Sequence, residues 1–192
     1  MIFGVRSLLL LLFATAFSSP AAGWDLERLM QDLGQVKVAK GRFVERKYLA
    51  ILTAPLESSG TLIYIAPSRL EKHTLAPRAE SLVLERDQLT IESKQPDRRR
   101  TVALQDYPAV WAFVESIRST LAGDLALLQR FYEITLDGEE RKWRLVLKPR
   151  DPKMQELMSE IRIGGSRSWI NSIEFFEPGG DRSVMTITRD LP

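Results

Sequence analysis

Three stretches of this chain repeat their apolar residues at helical spacing, and most of the rest alternates apolar and polar with a period of two. Trp24 to Leu33 places Leu26, Leu29, Met30 and Leu33 on one side of a helix, with Asp25 as its N-cap and Gly34 just past its end. Pro108 to Ala122 carries the broader stripe Val110, Trp111, Phe113, Val114, Ile117 and Leu121 and stops at Gly123; Asp124 then caps a short helix over Leu125 to Arg130. Strands are predicted for Val38 to Tyr48, Gly60 to Ile65, Leu70 to Leu75, Ser81 to Leu84, Leu89 to Ser93 and Arg99 to Leu104. After the helices they resume at Tyr132 to Asp137, Lys142 to Lys148, Ile161 to Gly164, Trp169 to Phe176 and Ser183 to Arg189. Asp137-Gly138 and Pro178-Gly179-Gly180-Asp181 supply turn residues, because glycine accepts the positive φ of tight hairpins.

The strand faces set the architecture. Tyr132, Ile134 and Leu136, and again Trp143, Leu145 and Leu147, alternate with Glu133, Thr135, Lys142, Arg144 and Lys148. A long antiparallel sheet with one apolar face must curl around something, and the helices are what the chain offers to cover it. The expected fold is mainly β with α: a half-open antiparallel barrel with helices across its mouth. No repeat or linker divides the chain, so residues 24–192 are expected to form a single domain and a monomer. Sheets of this width either fill their interior or leave room for one small ligand, and periodicity does not separate the two outcomes.

The N-terminus changes the picture. Met1 to Arg6 carries one positive charge, Ser7 to Phe17 is apolar, and Pro20-Ala21-Ala22-Gly23 offers small residues to a signal peptidase. An apolar run of about 10 residues falls short of the roughly 20 of a membrane-spanning helix. Residues 1–23 are therefore expected to be a signal peptide cleaved before Trp24. With no cysteine, the chain has no acceptor for a lipid anchor and no disulfides, so its core alone must hold it. The expected address is the periplasm, as a soluble protein.

Charge excludes little. The sequence pI near 9.0 is basic, but the 27 Lys+Arg are nearly matched by 25 Asp+Glu, and the signal removes Arg6. No field for nucleic acid results. Arg98-Arg99-Arg100 is expected at a solvated hairpin end. Catalytic constellations are thin: a single histidine, His73, argues against an imidazole-rich metal centre, and no serine in a strained turn marks a nucleophile beside it. Gly164-Gly165-Ser166 and Pro178-Gly179-Gly180 join strands and open no helix, so they read as turns and not as phosphate cradles. Asp137, Glu139 and Glu140 sit together in a polar hairpin, where carboxylates are ordinarily solvated. No catalytic residue, metal or cofactor is expected.

Gly60-Thr61-Leu62-Ile63-Tyr64-Ile65-Ala66-Pro67, followed by Arg69-Leu70 and Pro77, resembles the early hairpin of the outer-membrane lipoprotein carrier (LolA) superfamily. Phe43 in the first strand, Trp143-Arg144-Leu145-Val146-Leu147-Lys148-Pro149, and the closing Ile173-Glu174-Phe175-Phe176, Gly179-Gly180-Asp181 and Met185-Thr186-Ile187 extend the likeness over nearly the whole mature chain. The resemblance implies a lidded incomplete barrel that carries the acyl chains of a lipid or lipoprotein across the periplasm, from an inner-membrane exporter to an outer-membrane acceptor. Periodicity then selects Leu62, Tyr64, Leu70, Leu145 and Leu147 on the strands, with Trp111, Val114, Ile117 and Leu121 on the long helix, as the lipid-facing set.

The chain departs from the family at one telling position. Lipoprotein carriers have an arginine before the proline of that strand, which ties down the lid; here the residue is Ala66. The change argues against a lid latch of the usual kind and against assuming a lipoprotein cargo, and it favours a divergent paralog that moves a non-protein lipid such as an aryl-polyene or glycolipid ester. Two other readings stay open: a filled adaptor domain with a partner surface, and an acyl-ester enzyme using His73 or a carboxylate.

Overall fold

The computed structural model describes residues 24–94 and 97–190; the expected signal peptide lies outside them. Among these residues eleven strands form a single antiparallel sheet: β1 (Val38–Tyr48), β2 (Leu56–Ile65), β3 (Arg69–Ala76), β4 (Glu80–Glu85), β5 (Gln88–Lys94), β6 (Asp97–Ala103), β7 (Tyr132–Glu139), β8 (Lys142–Pro149), β9 (Glu160–Ser166), β10 (Trp169–Phe176) and β11 (Arg182–Arg189). Their spatial order is β6-β5-β4-β3-β2-β1-β11-β10-β9-β8-β7. Each hairpin pairs with its neighbour in sequence, and β1 joins the two halves by pairing with both β2 and β11. β6 and β7 remain the two edges, so the barrel is open, as the alternation predicted.

Among the described residues four helices accompany the sheet: α1 (Leu26–Gly34), α2 (Pro108–Ala122), α3 (Leu125–Phe131) and the single turn α4 (Pro152–Gln155). The expected caps are in place. The Asp25 carboxylate accepts from Arg28 N at 2.9 Å and Asp124 from Leu127 N at 2.9 Å. Gly123 ends α2 in the left-handed region at φ 71°, and a Cβ there would fall 2.2 Å from the Met30 carbonyl. That glycine therefore both terminates α2 and lets α1 cross it closely. No helix among the described residues is long and apolar enough to cross a membrane.

Several boundaries differ from expectation. β2 begins at Leu56, because the polar Glu57-Ser58-Ser59 still pairs with Arg46, Glu45 and Val44. Leu104, expected in a strand, starts a 3-10 turn leading into α2. The turn α4 was not anticipated, although Asp151 accepts from Lys153 N and Met154 N just ahead of Pro152, a legible start signal. Arg98 to Arg100 are exposed and follow the pair Lys94 and Asp97 at the end of the β5–β6 hairpin, as expected, and they continue into edge strand β6; Arg99 pairs with Glu92 across the ladder at 3.1 Å. Arginines along an exposed edge discourage pairing with another chain.

Candidate functional site

Beneath α2 the sheet is hollow. A cavity of about 280 Å³ lies between the inner faces of β2 to β5 and the helix. Its floor is Leu62 and Tyr64 of β2, Leu70 of β3, Leu82 and Leu84 of β4, and Leu89 of β5. These residues share a face because the register pairs Tyr64 with Leu70, Leu70 with Leu84, and Leu84 with Leu89. The roof is one stripe of α2: Val110, Phe113, Val114, Ile117 and Leu121. Leu33 of α1 and Trp169, Ile173, Met185 and Ile187 close the side toward the other half of the sheet.

Six of the nine residues selected from the sequence line this space: Leu62, Tyr64, Leu70, Val114, Ile117 and Leu121. Three do not. Leu145 and Leu147 are 0 % exposed and belong to the packed core, where Ile163 and Ile161 of β9 oppose them. They face the same side of the sheet as Leu62, but helices and the segment after α4 fill the space above them. Trp111 points away from the cavity and meets Phe131 edge to face, ring centroids 5.2 Å apart. The sequence reading in turn missed Leu82, Leu84 and Leu89, whose alternation in the short strands β4 and β5 carries the same signal.

The roof is fastened at several points. Tyr107, at the start of α2, receives a hydrogen bond from Arg100 Nη2 of β6 at 2.9 Å. Midway, Arg118 Nη1 donates to the Arg86 carbonyl in the β4–β5 turn at 2.9 Å, and Asp87 stands 3.6 Å away. Glu115, only 4 % exposed, holds the Arg118 guanidinium at 2.5 Å and accepts from Ser119 at 3.2 Å. Behind the helix, Tyr132 Oη donates to the Ala112 carbonyl at 2.8 Å, and burial pushes its phenol well above the ordinary value. Ala66 lies in the β2–β3 turn, where its N–H donates to the Lys37 carbonyl at 2.9 Å, and its methyl group offers no latch. The latch is carried by the helix, through Arg118, and grips the tip of β4–β5.

Lys72 interrupts the apolar wall. It occupies an inward position of β3, between Leu62 and Leu82, and lines the cavity. Its Nζ lies 4.9 Å from the centre of the Phe43 ring and donates to Glu45 Oε2 at 2.5 Å. Ser183 Oγ donates to the other Glu45 oxygen at 2.6 Å, and Ser58 Oγ stands 3.5 Å from Oε2. Burial works to raise the Glu45 carboxyl, but the Lys72 ammonium and these hydrogen bonds outweigh it and hold the group below the usual carboxylate value.

His73 faces the opposite, outer side of the sheet. Its Nε2 is 2.8 Å from Glu71 Oε2, and its Nδ1 is 2.9 Å from Ser81 Oγ, a neighbour across the β3–β4 ladder. The hydrogen bonds from His73 and Arg69 outweigh burial and lower the Glu71 carboxyl. Serine, imidazole and carboxylate thus stand in line, a contact that sequence spacing did not reveal. The backbone around them is committed to the β2–β3–β4 ladder, which leaves no paired N–H groups for an oxyanion. The described residues contain no group of three or more metal-ligating side chains.

The sequence profile described as outer membrane lipoprotein carrier protein LolA-like matches residues 18–187. The chain belongs to this family. Among curated proteins no relative matches. Among solved structures, MucB in the MucA/MucB complex of Pseudomonas aeruginosa superposes with a TM-score of 0.51 at 15% identity, over 86% of this chain and 56% of that one. A LolA superfamily protein of Nitrosomonas europaea matches with a TM-score of 0.42 at 10% identity, over 87% of this chain and 94% of that one. At such identities the MucB likeness speaks for the fold alone.

Proposed function

We propose that residues 24–192 act as one periplasmic carrier domain that takes acyl chains into the cavity under α2 and shuttles them toward the outer membrane. The observation that carries this reading is the hollow itself: an apolar space of about 280 Å³ roofed by one latched helix, in a chain of the lipoprotein-carrier family. Acyl chains need such shelter because each CH₂ moved out of water contributes about 0.8 kcal/mol. The volume sits at the lower edge of ordinary ligand sites, roughly 300–1,000 Å³, so a cargo with more than one chain requires α2 to lift from β4 and β5. Donor and acceptor are an inner-membrane exporter and an outer-membrane acceptor. A non-protein lipid, such as an aryl-polyene or glycolipid ester, is the favoured cargo, since Ala66 removes the family's arginine.

Protein purified from its native periplasm and extracted with organic solvent should yield a bound lipid by mass spectrometry; repeated extracts without one would overturn the reading. Growth of a carrier-depleted strain supported by this protein would show that the cargo is a lipoprotein after all.

One further feature favours partner binding alongside transport. The β1–β2 turn displays Ile51, 90 % exposed, with Leu52 and Leu56 also on the surface. MucB, on the same fold, is in complex with MucA. Empty extracts together with co-purification of a protein through this tip would favour an adaptor role.

A further inference from the structure

The alternation that makes the cavity wall apolar fails at one inward position of β3, and the failure is built and not incidental. By register, Leu62, Tyr64, Leu70, Leu82 and Leu84 face inward together with Lys72. The other charged residues that contribute to the wall, Lys40 and Glu71, occupy outward positions, paired with Ile63. Lys72 crosses the Phe43 ring to reach Glu45, and Ser58 and Ser183 complete the cluster. The side chains of Lys72 and Glu45 are 26% and 18% exposed. The cluster is therefore largely withdrawn from water: Lys72 lines the greasy space, and Glu45, Ser58 and Ser183 stand just beyond its lining. Apolar residues of similar volume would serve stability at least as well, because a withdrawn ion pair roughly cancels its own desolvation cost.

Resting on the carrier reading above, we propose that Lys72, Glu45, Ser58 and Ser183 form the headgroup site of the cavity, and that it selects a neutral headgroup with hydroxyl or ester oxygens over an anionic one. An acyl chain laid over Tyr64, Leu70 and Leu84, the row next to Lys72 on β3, brings its polar end to Lys72. The ammonium has three N–H donors and spends one on Glu45, which leaves donors for an ester carbonyl. The Glu45 carboxylate and the two serine hydroxyls accept from or donate to a headgroup hydroxyl. An anionic headgroup finds the Lys72 charge already neutralised and meets the Glu45 carboxylate beside it, so it must lose a hydrated charge without gaining an unpaired cation. Glu45 stays ionised at neutral pH, since Lys72 and the serine hydrogen bonds hold its carboxyl low against the effect of burial.

The test compares two amphiphiles with one chain, palmitate and monopalmitoylglycerol, by displacement of a fluorescent acyl probe from the full mature protein at neutral pH. The wild type should bind the glyceryl ester about tenfold more tightly, a difference of about 1.4 kcal/mol. Glu45→Gln keeps the shape, removes the anion and frees the Lys72 charge, so palmitate should bind as tightly as the ester or more so. Lys72→Met removes the donor to the ester carbonyl and leaves the Glu45 carboxylate unneutralised, so the ester should weaken several-fold and palmitate should not gain, while the acyl probe still binds. Thermal unfolding of each variant checks that it is folded, and Ser183→Ala, which should weaken the ester more than palmitate, serves if Glu45→Gln is not. Palmitate binding the wild type as well as the ester, a preference unchanged in folded Glu45→Gln (or, where that does not fold, in Ser183→Ala), or a gain in palmitate binding by Lys72→Met overturns the headgroup site and leaves the carrier reading standing. Failure of both lipids and of the probe to bind overturns the carrier reading and the headgroup site together.

Discussion

The two halves of the sheet present the same apolar alternation and meet opposite fates. In β8 and β9 the inward residues Leu145, Leu147, Ile161 and Ile163 are sealed, with Leu128 of α3 and Met158 just past α4 packed in the same cluster. In β2 to β5 the inward residues Leu62, Leu70, Leu82 and Leu89 are only partly covered, and one stripe of α2 spans the gap above them. The connections account for the difference. α3 runs directly into β7, and α4 joins β8 to β9, so the chain places cover over its own C-terminal strands. β2 to β6 are linked by turns alone and receive a roof only when the chain returns as α2. A greasy face is a core where the covering layers match it in area and a cavity where they do not.

The sharpest way to break this comparison is to truncate one leucine on each side. Leu147→Ala should destabilise the protein by about 2–5 kcal/mol in denaturant unfolding, because it opens a void among packed neighbours. Leu82→Ala faces space that is already empty and should cost about 1 kcal/mol or less. Equal losses would show that the hollow half is packed in solution.

Next in size, Leu62→Glu or Ile117→Glu should abolish binding of a fluorescent fatty acid while leaving the far-UV circular dichroism largely intact. Normal binding by both variants would remove floor and roof from the site. The Arg118→Ala change acts on the contact that ties α2 to the β4–β5 turn of the hollow half. It releases α2 from the Arg86 carbonyl and leaves Glu115 buried without its cation, which should cost about 1–3 kcal/mol and speed probe exchange several-fold in stopped-flow measurements. Ala66→Arg adds a second candidate latch and should slow that exchange by a smaller factor. The smallest effect belongs to His73→Ala on the outer face: ester hydrolysis should stay at background before and after the change, and lipid binding should be unaltered. Hydrolysis by the wild type that disappears in this variant would make Ser81, His73 and Glu71 a catalytic group.

Much of this molecule was legible before folding was considered. The caps at Asp25 and Asp124, the stop at Gly123, the inward set of β8 and the stripe of α2 all follow from short-range patterns whose physical cause is local. The candidate site was legible in part. Leu62, Tyr64 and Leu70 were found by parity and Val114, Ile117 and Leu121 of α2 by the helical period, whereas Lys72 was hidden because Glu71-Lys72-His73-Thr74 is polar on both faces. Ser81 gave no sign of its contact with His73, since that contact depends on strand register.

What the sequence by itself determined is direction: which side of a strand or helix each residue faces, and where each element stops. Direction is local, set by the periods of 2 and 3.6 and by the conformational limits of glycine, proline and the capping residues. Only the tertiary structure decided what stands opposite. It filled the space over Leu145 and left it empty over Leu82, turned Trp111 toward Phe131, carried Arg118 to the β4–β5 turn, and set Lys72 of β3 against Glu45 of β1 across the intervening strand. Distance between residues far apart in the chain depends on register and on where the covering helices land, and no local period encodes either.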